Sequence, residues 1–317
     1  MNVTPALHTR ADALTAHSTC SHTLLLITHA AAAHDLWHHG GAVCDREVHM
    51  SFPSSNALCL QMQEGDGFQG VLGPAAKLAG LKQLRLRDFD LVPQAERWAA
   101  ALLQLPAGLE HLSINGEVVN VTYDPSPLQL PTGFLQRLQQ LTYLELVYVE
   151  LQGPVDDAST ALQPLQALTR LVDLRVNPFD QLESITCEML SGTYHLTHLE
   201  LMACKLEPCV LAGKSKLQHL HLPDCRPVGA SAAAGVADLL SHLQPLQLTH
   251  LGLMATLWGV EEGSIPAAAY SVLTASSKLQ HFDISNSCLP PGVLLWPQVF
   301  PTCRQLPHLR ELNLAHI

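Results

Sequence analysis

One leucine pattern recurs along most of the chain and constrains its fold more than any other feature. The motif Leu-x-x-Leu-x-Leu, with conservative replacements, starts at Leu81, Leu109, Leu141, Leu171, Leu196, Leu217, Leu248, Leu279 and Leu309. Successive starts lie 21 to 32 residues apart. Ser55, Leu58 and Leu60 make a degenerate tenth copy, 26 residues before Leu81. Self-similarity at such a period marks a solenoid, because each unit is one supersecondary element that cannot bury its own apolar side and must stack on its neighbours. Side chains alternate between the faces of a strand. The fourth and sixth motif positions therefore point into the solenoid, with the first turning inward at the strand entry. The third, fifth and seventh point to the opposite face of the sheet.

The motif resembles the leucine-rich repeat family over about residues 55–317. Its longer spacings look most like the ribonuclease-inhibitor-like and F-box-associated intracellular branch. The resemblance implies an α/β leucine-rich repeat solenoid, a curved horseshoe with a parallel β-sheet on the concave face and helices or turns on the convex face. Among the connectors, residues 93–103 and 265–273 read as helices with a proline near their starts, 133–141 from one apolar face and 228–243 from its alanine-rich run ending in leucines. The 21-residue repeat from Leu196 has room only for a turn. The asparagine that the family carries at the ninth position is missing. Phe89, Glu117, Val149, Phe179, Cys204, Cys225, Thr256 and Ser287 stand there instead. Cys, Thr and Ser bring a donor for the backbone of the turn, whereas Phe and Val do not. A regular horseshoe is therefore expected to loosen in the first four repeats.

Residues 1–54 lack the repeat and hold eight of the 18 histidines. The order Leu26-Ile27, Asp35-Leu36, Val43-Cys44 is similar to an F-box, although Gly40-Gly41 disturbs any helix there. The segment is expected to be a cap, a leader or a degenerate F-box-like unit, preceding a repeat domain over residues 55–317. The apolar run over residues 24–33 is too short for a bilayer, which takes about 20 residues. A net charge of −11 argues against nucleic acid and against anionic membrane surfaces. Nine cysteines, an odd number without a paired framework, read as free thiols in a reducing compartment. The expected location is cytoplasmic, with cytoskeletal or axonemal association as a role known among similar repeat proteins. The chain stops soon after the strand of Leu309, so its last strand is expected to present an open edge, available for edge-to-edge association or belonging to a fragment of a longer repeat array.

No P-loop, Gly-x-Ser-x-Gly or His-Glu-x-x-His motif occurs, and Gly65-x-Gly67-x-x-Gly70 reads as a turn. A non-enzymatic protein without cofactor or metal is expected. The outward columns carry the candidate partner-binding residues. The third-position column contains Tyr143, His198, His219, His250 and His281; the fifth contains His221; the seventh contains Val147, Met202 and Met254. Four histidines in register on neighbouring strands form a ladder, and a flat column does not supply the tetrahedral convergence that zinc wants. The function implied is a protein–protein interaction scaffold whose unidentified partner binds the concave sheet. The alternatives are the substrate-recognition arm of an F-box-type ubiquitin ligase and a structural component of a cytoskeletal or axonemal assembly.

Overall fold

Each leucine motif from Leu81 onward folds as one strand, and the strands lie side by side in chain order. The computed structural model describes residues 48–51, 57–62, 80–87, 102–116, 128–152, 162–178, 184–243, 247–256, 267–287, 296–300 and 306–315. The chain divides into two units, Met1–Ala42 and Val43–Ile317. All described residues belong to the second; the F-box-like order through Val43-Cys44, the leader and all but the last two residues of the helix expected at 93–103 lie outside the described residues.

The strands are β1 (Val48–Ser51), β2 (Ala57–Met62), β3 (Gln83–Arg87), β4 (His111–Asn115), β5 (Leu128–Pro131), β6 (Tyr143–Gln152) and β7 (Asp173–Pro178). They continue as β8 (His198–Leu201), β9 (Lys205–Leu206), β10 (His219–His221), β11 (Arg226–Pro227), β12 (His250–Gly252), β13 (His281–Asp283) and β14 (Glu311–Asn313). A twelve-stranded sheet runs β1-β2-β3-β4-β6-β7-β8-β10-β12-β13-β14, with β5 beside β6. Every pair in it is parallel except β1–β2. The long parallel sheet, with few helices among the described residues, fits an α/β leucine-rich repeat solenoid. Leu58 and Leu60 pair in register with Leu84 and Leu86, the placement of a tenth repeat. Strand β1 draws the end of the non-repeat segment onto the sheet.

The register follows from burial. Leu84 and Leu86, Leu144 and Leu146, Leu199 and Leu201, and Leu220 and Leu222 are all buried at the fourth and sixth positions, while the third and fifth are half-buried in β7, β8, β10 and β13. The strand entry repeats as well. The carbonyl at the second position accepts two N–H groups from the next repeat: Gln218 O takes those of Thr249 and His250, and Thr249 O takes those of Gln280 and His281. Three residues before each entry the chain turns, as in Leu141 N–H to Leu138 O at 3.0 Å. Lys214 occupies that turn position where other repeats place Leu138 and Leu168. It is buried with Nζ donating to Leu190 O at 2.7 Å, and burial pushes its pKa down.

The connectors depart from expectation in type. Residues 228–243 form the α-helix α1 over Ala232–Leu243, whose buried Val236, Leu239, Leu240 and Leu243 face the core. The stretches expected as helices at 133–141 and 265–273 are instead 3-10 turns, Thr132–Arg137 and Ala267–Thr274. The narrower 3-10 winding rises further per residue and crosses the same span with fewer residues. The short repeat from Leu196 uses a 3-10 turn at Pro208–Leu211, as its length requires. Near the C-terminal side a second helix, α2 (Trp296–Val299), packs against the 3-10 turn of Ala267–Thr274. Loosening at the third repeat is local. The β6–β7 register shifts between Val147 and Val149, where the ninth-position Val149 is buried without a polar group.

Candidate functional site

The third-position column becomes a stack of rings. His198, His219, His250 and His281 pair strand to strand. Their ring centroids are 3.7, 3.8 and 4.0 Å apart, with interplanar angles of 15°, 18° and 11°. Parallel strands set residues in one column about 4.8 Å apart. Imidazoles close that gap by leaning together face to face. Asp173 pairs with His198 at one end of the column, and Glu311 pairs with His281 at the other. Glu311 Oε2 lies 2.8 Å from His281 Nδ1. Beyond Asp173 the column continues as a second stack, Tyr143 on His111 at 3.9 Å.

A groove of about 650 Å³ runs over this surface. Five of the expected binding residues line it: His198, His219, His221, His250 and His281. Tyr143, Val147, Met202 and Met254 do not. Tyr143 lies further along the sheet, its ring carrying the Arg175 guanidinium at 5.5 Å. Val147, Met202 and Met254 are half-buried at the seventh position; Met202 and Met254 follow the ends of β8 and β12. The sequence reading left out Arg175, Glu200, Asp283, Glu311 and Asn313, which also line the groove. Their signal was present: they occupy the third and fifth positions beside the histidines.

The charged groups are already engaged. Arg175 donates from Nε and Nη2 to the two oxygens of Asp173, at 3.1 and 3.0 Å. That hydrogen-bonded pairing pushes the guanidinium pKa up. Asp283 accepts from the Ser285 backbone N–H at 2.8 Å and hydroxyl at 2.7 Å, and from Asn313 Nδ2 at 3.0 Å. Glu200 lies 3.4 Å from His221 Nδ1 and is held below the usual carboxylate range, chiefly by the hydrogen bond with that ring. Gly252 makes this geometry possible, since a Cβ there would run into the His221 ring.

Burial in the stack favours neutral imidazole. His219 is pushed down to about 4, first by burial and then by the neighbouring rings of His198 and His250. His198 and His250 are lowered for the same first reason. Tyr143 is pushed up to about 12, mainly by burial. Near neutral pH His198, His219 and His250 therefore present an uncharged, polarisable surface, with Glu311 at the His281 end of the column. Its nitrogens are side by side rather than convergent.

The cysteines need one correction. Cys187 and Cys209 form a disulfide, so the nine cysteines are not all free, and the redox argument for a reducing compartment loses its basis. Cys204 and Cys225 are free and buried at the ninth position. Cys225 Sγ donates to Leu201 O at 3.1 Å, and Cys204 Sγ to Met202 O at 2.9 Å. The neighbouring Cys225 and burial push the Cys204 thiol up, as befits a structural cysteine. No described helix is long and apolar enough to cross a membrane.

No protein-family model matches the chain. No curated protein matches it either. A solved structure, "Crystal structure of TLR13-ssRNA13 complex", is similar at 18% identity and a TM-score of 0.41, over 78% of this chain and 34% of that one. The chain thus spans about a third of that structure's length.

Proposed function

We propose that the groove face is the concave surface of a non-enzymatic scaffold of the ribonuclease-inhibitor-like branch, cytoplasmic in location, and that it captures a protein segment bearing lysine or arginine. The observation carrying this reading is the four-histidine stack with Glu311 at one end and Glu200 and Asp283 along its side. The one lining guanidinium, Arg175, is already neutralised by Asp173. Carboxylates around a flat aromatic floor suit a cationic head, which gains both charge attraction and ring contact. The overall charge of −11 adds long-range attraction for such a partner. The half-buried Met202 and Met254, past the ends of β8 and β12, and Val147 within β6 supply adaptable apolar contact outside the groove. The ubiquitin-ligase and cytoskeletal alternatives rest on no feature of the described residues.

The test uses a bead-displayed library of lysine- and arginine-containing peptides, with a lysine-acetylated, citrulline-for-arginine library as control. The intact chain should retain the first set and not the second. Glu200→Arg combined with Glu311→Arg should cut retention at least tenfold while leaving the far-ultraviolet spectrum unchanged. Equal retention by the double variant would refute the proposal.

A further inference from the structure

Away from the groove, Cys187, Glu207 and Cys209 converge, and backbone rather than sulfur fixes their positions. Ile185 N–H donates to Lys205 O at 2.8 Å, and Glu207 N–H returns to Ile185 O at 3.0 Å, around a parallel bridge from Ile185 to Leu206. Cys187 N–H then donates to Glu207 Oε2 at 2.9 Å. The 3-10 turn that begins at Pro208 carries Cys209 back to the same spot. Its Sγ lies 3.8 Å from Glu207 Oε2, and the three ligand atoms all fall within 4.8 Å of one another. All three residues are half-buried.

The Cys209 Sγ to Glu207 Oε2 distance matches a metal geometry, and reduction frees the two bonded sulfurs to part. A tetrahedral zinc ion with bonds of about 2.3 Å to sulfur and about 2.1 Å to oxygen places those ligand atoms about 3.6 Å apart. We propose that, when the disulfide is reduced, the Cys187 and Cys209 thiolates and the Glu207 carboxylate bind a thiophilic divalent cation of the zinc class, with a fourth coordination position open. Two sulfurs select against calcium and magnesium, which take oxygen ligands. The carboxylate retains free lone pairs beside the one that accepts the Cys187 N–H. The balance of the switch is simple. An external dithiol passes two electrons and two protons to the S–S bond and becomes a disulfide itself, leaving thiols at both positions. The cation then displaces one proton from each thiol. In the oxidised form the sulfurs are spent on each other and the site is closed. The cation site and the disulfide are thus two exclusive states of one pair.

The test takes the full chain, reduces it with a water-soluble phosphine, removes the phosphine and titrates with Co²⁺. One equivalent should bind with a thiolate-to-cobalt charge-transfer band and the intense visible absorption of tetrahedral cobalt. Zn²⁺ should displace it, and the unreduced chain should show neither band. Cys187→Ser and Cys209→Ser should each abolish the charge-transfer band, whereas Cys204→Ser and Cys225→Ser should leave it intact. Glu207→Gln, which keeps both thiols and the fold, should weaken cobalt binding at least tenfold. Cobalt uptake without a thiolate band, as surface histidines would give, would overturn the proposal. So would a band that survives Cys187→Ser, or affinity untouched by Glu207→Gln.

Discussion

The ninth-position residues show how much a single side chain decides. Thr256 Oγ1 donates to Leu222 O, Ser287 Oγ to Leu253 O at 3.1 Å, and Cys225 Sγ to Leu201 O at 3.1 Å. Each donor satisfies the sixth-position carbonyl of the preceding repeat, a ladder that hydroxyl and thiol build where the family uses asparagine. Thr256→Val should therefore cost about 1–3 kcal/mol in urea unfolding, because a buried carbonyl is left unpaired. The eighth position was not legible in the sequence. Tyr148, Ala203, Asp224, Ala255 and Asn286 share no side-chain character, yet all sit at φ of 53° to 55°. The left-handed bend is imposed by the strand ending in one repeat and pairing with the next, as in Ala255 N–H to Ser285 O at 3.0 Å. An L-residue there is strained by about 1–2 kcal/mol, and glycine gives back about 0.5–1 in chain entropy. Ala255→Gly should then stabilise by up to about 1 kcal/mol, and Ala255→Val should destabilise; the reverse order would remove the strain argument. The leucines themselves were fully legible, since their period of two places them inside. Leu220 is 1% exposed, so Leu220→Ala should cost about 2–5 kcal/mol through the cavity it leaves. Exposed Gln218→Ala should stay within about 0.5 kcal/mol, and equal losses would mean the register is wrong.

Among the elements, strands were easier to foresee than connectors. A strand carries its period in its side chains, but the choice between α and 3-10 winding depends on the span between two fixed repeats, which only the stacking sets. Thus Ala267–Thr274, alanine-rich and helical by composition, winds as 3-10, whereas Ala232–Leu243 has room for a full α-helix. The histidine column could be read from the sequence as a register. Its ring stacking and its closure by Asp173 and Glu311 needed the strand pairing. Protonation links this element to stability. His198, His219 and His250 bind protons less readily in the fold than at their ordinary value of 6.5, and His219 falls to about 4. Asp173, Glu200, Glu311 and Arg175 face them across the sheet, and burial is the main cause for all three. Between those values the unfolded chain holds more protons, so stability is full above about pH 6.5 and falls as the pH drops toward about 4. Urea midpoints at about pH 7.5 and about pH 5.5 should show this loss, and His219→Gln should shrink it. An unchanged loss in His219→Gln would mean that the stack does not titrate as a buried unit.

For the molecule as a whole, the parallel sheet leaves one face to the leucine core and one face open, and the open face gathers the histidines, the carboxylates and the groove. At the far side of this sheet β14 pairs with β13, and Leu312 is 46% exposed, unlike its counterparts within the stack. If partner capture is led by charge, raising the salt from about 0.05 to about 0.5 M should weaken it several-fold, because exposed charges are screened within about 10 Å at 0.1 M. Salt-independent capture would move the weight to the apolar Met202 and Met254. The most direct measurement places a photo-crosslinking residue at His221, in the groove, or at Ser241, exposed on α1 across the core. With a retained basic peptide bound, the His221 position should crosslink and the Ser241 position should not. Crosslinks from Ser241 with none from His221 would contradict the assignment of binding to the histidine-lined face.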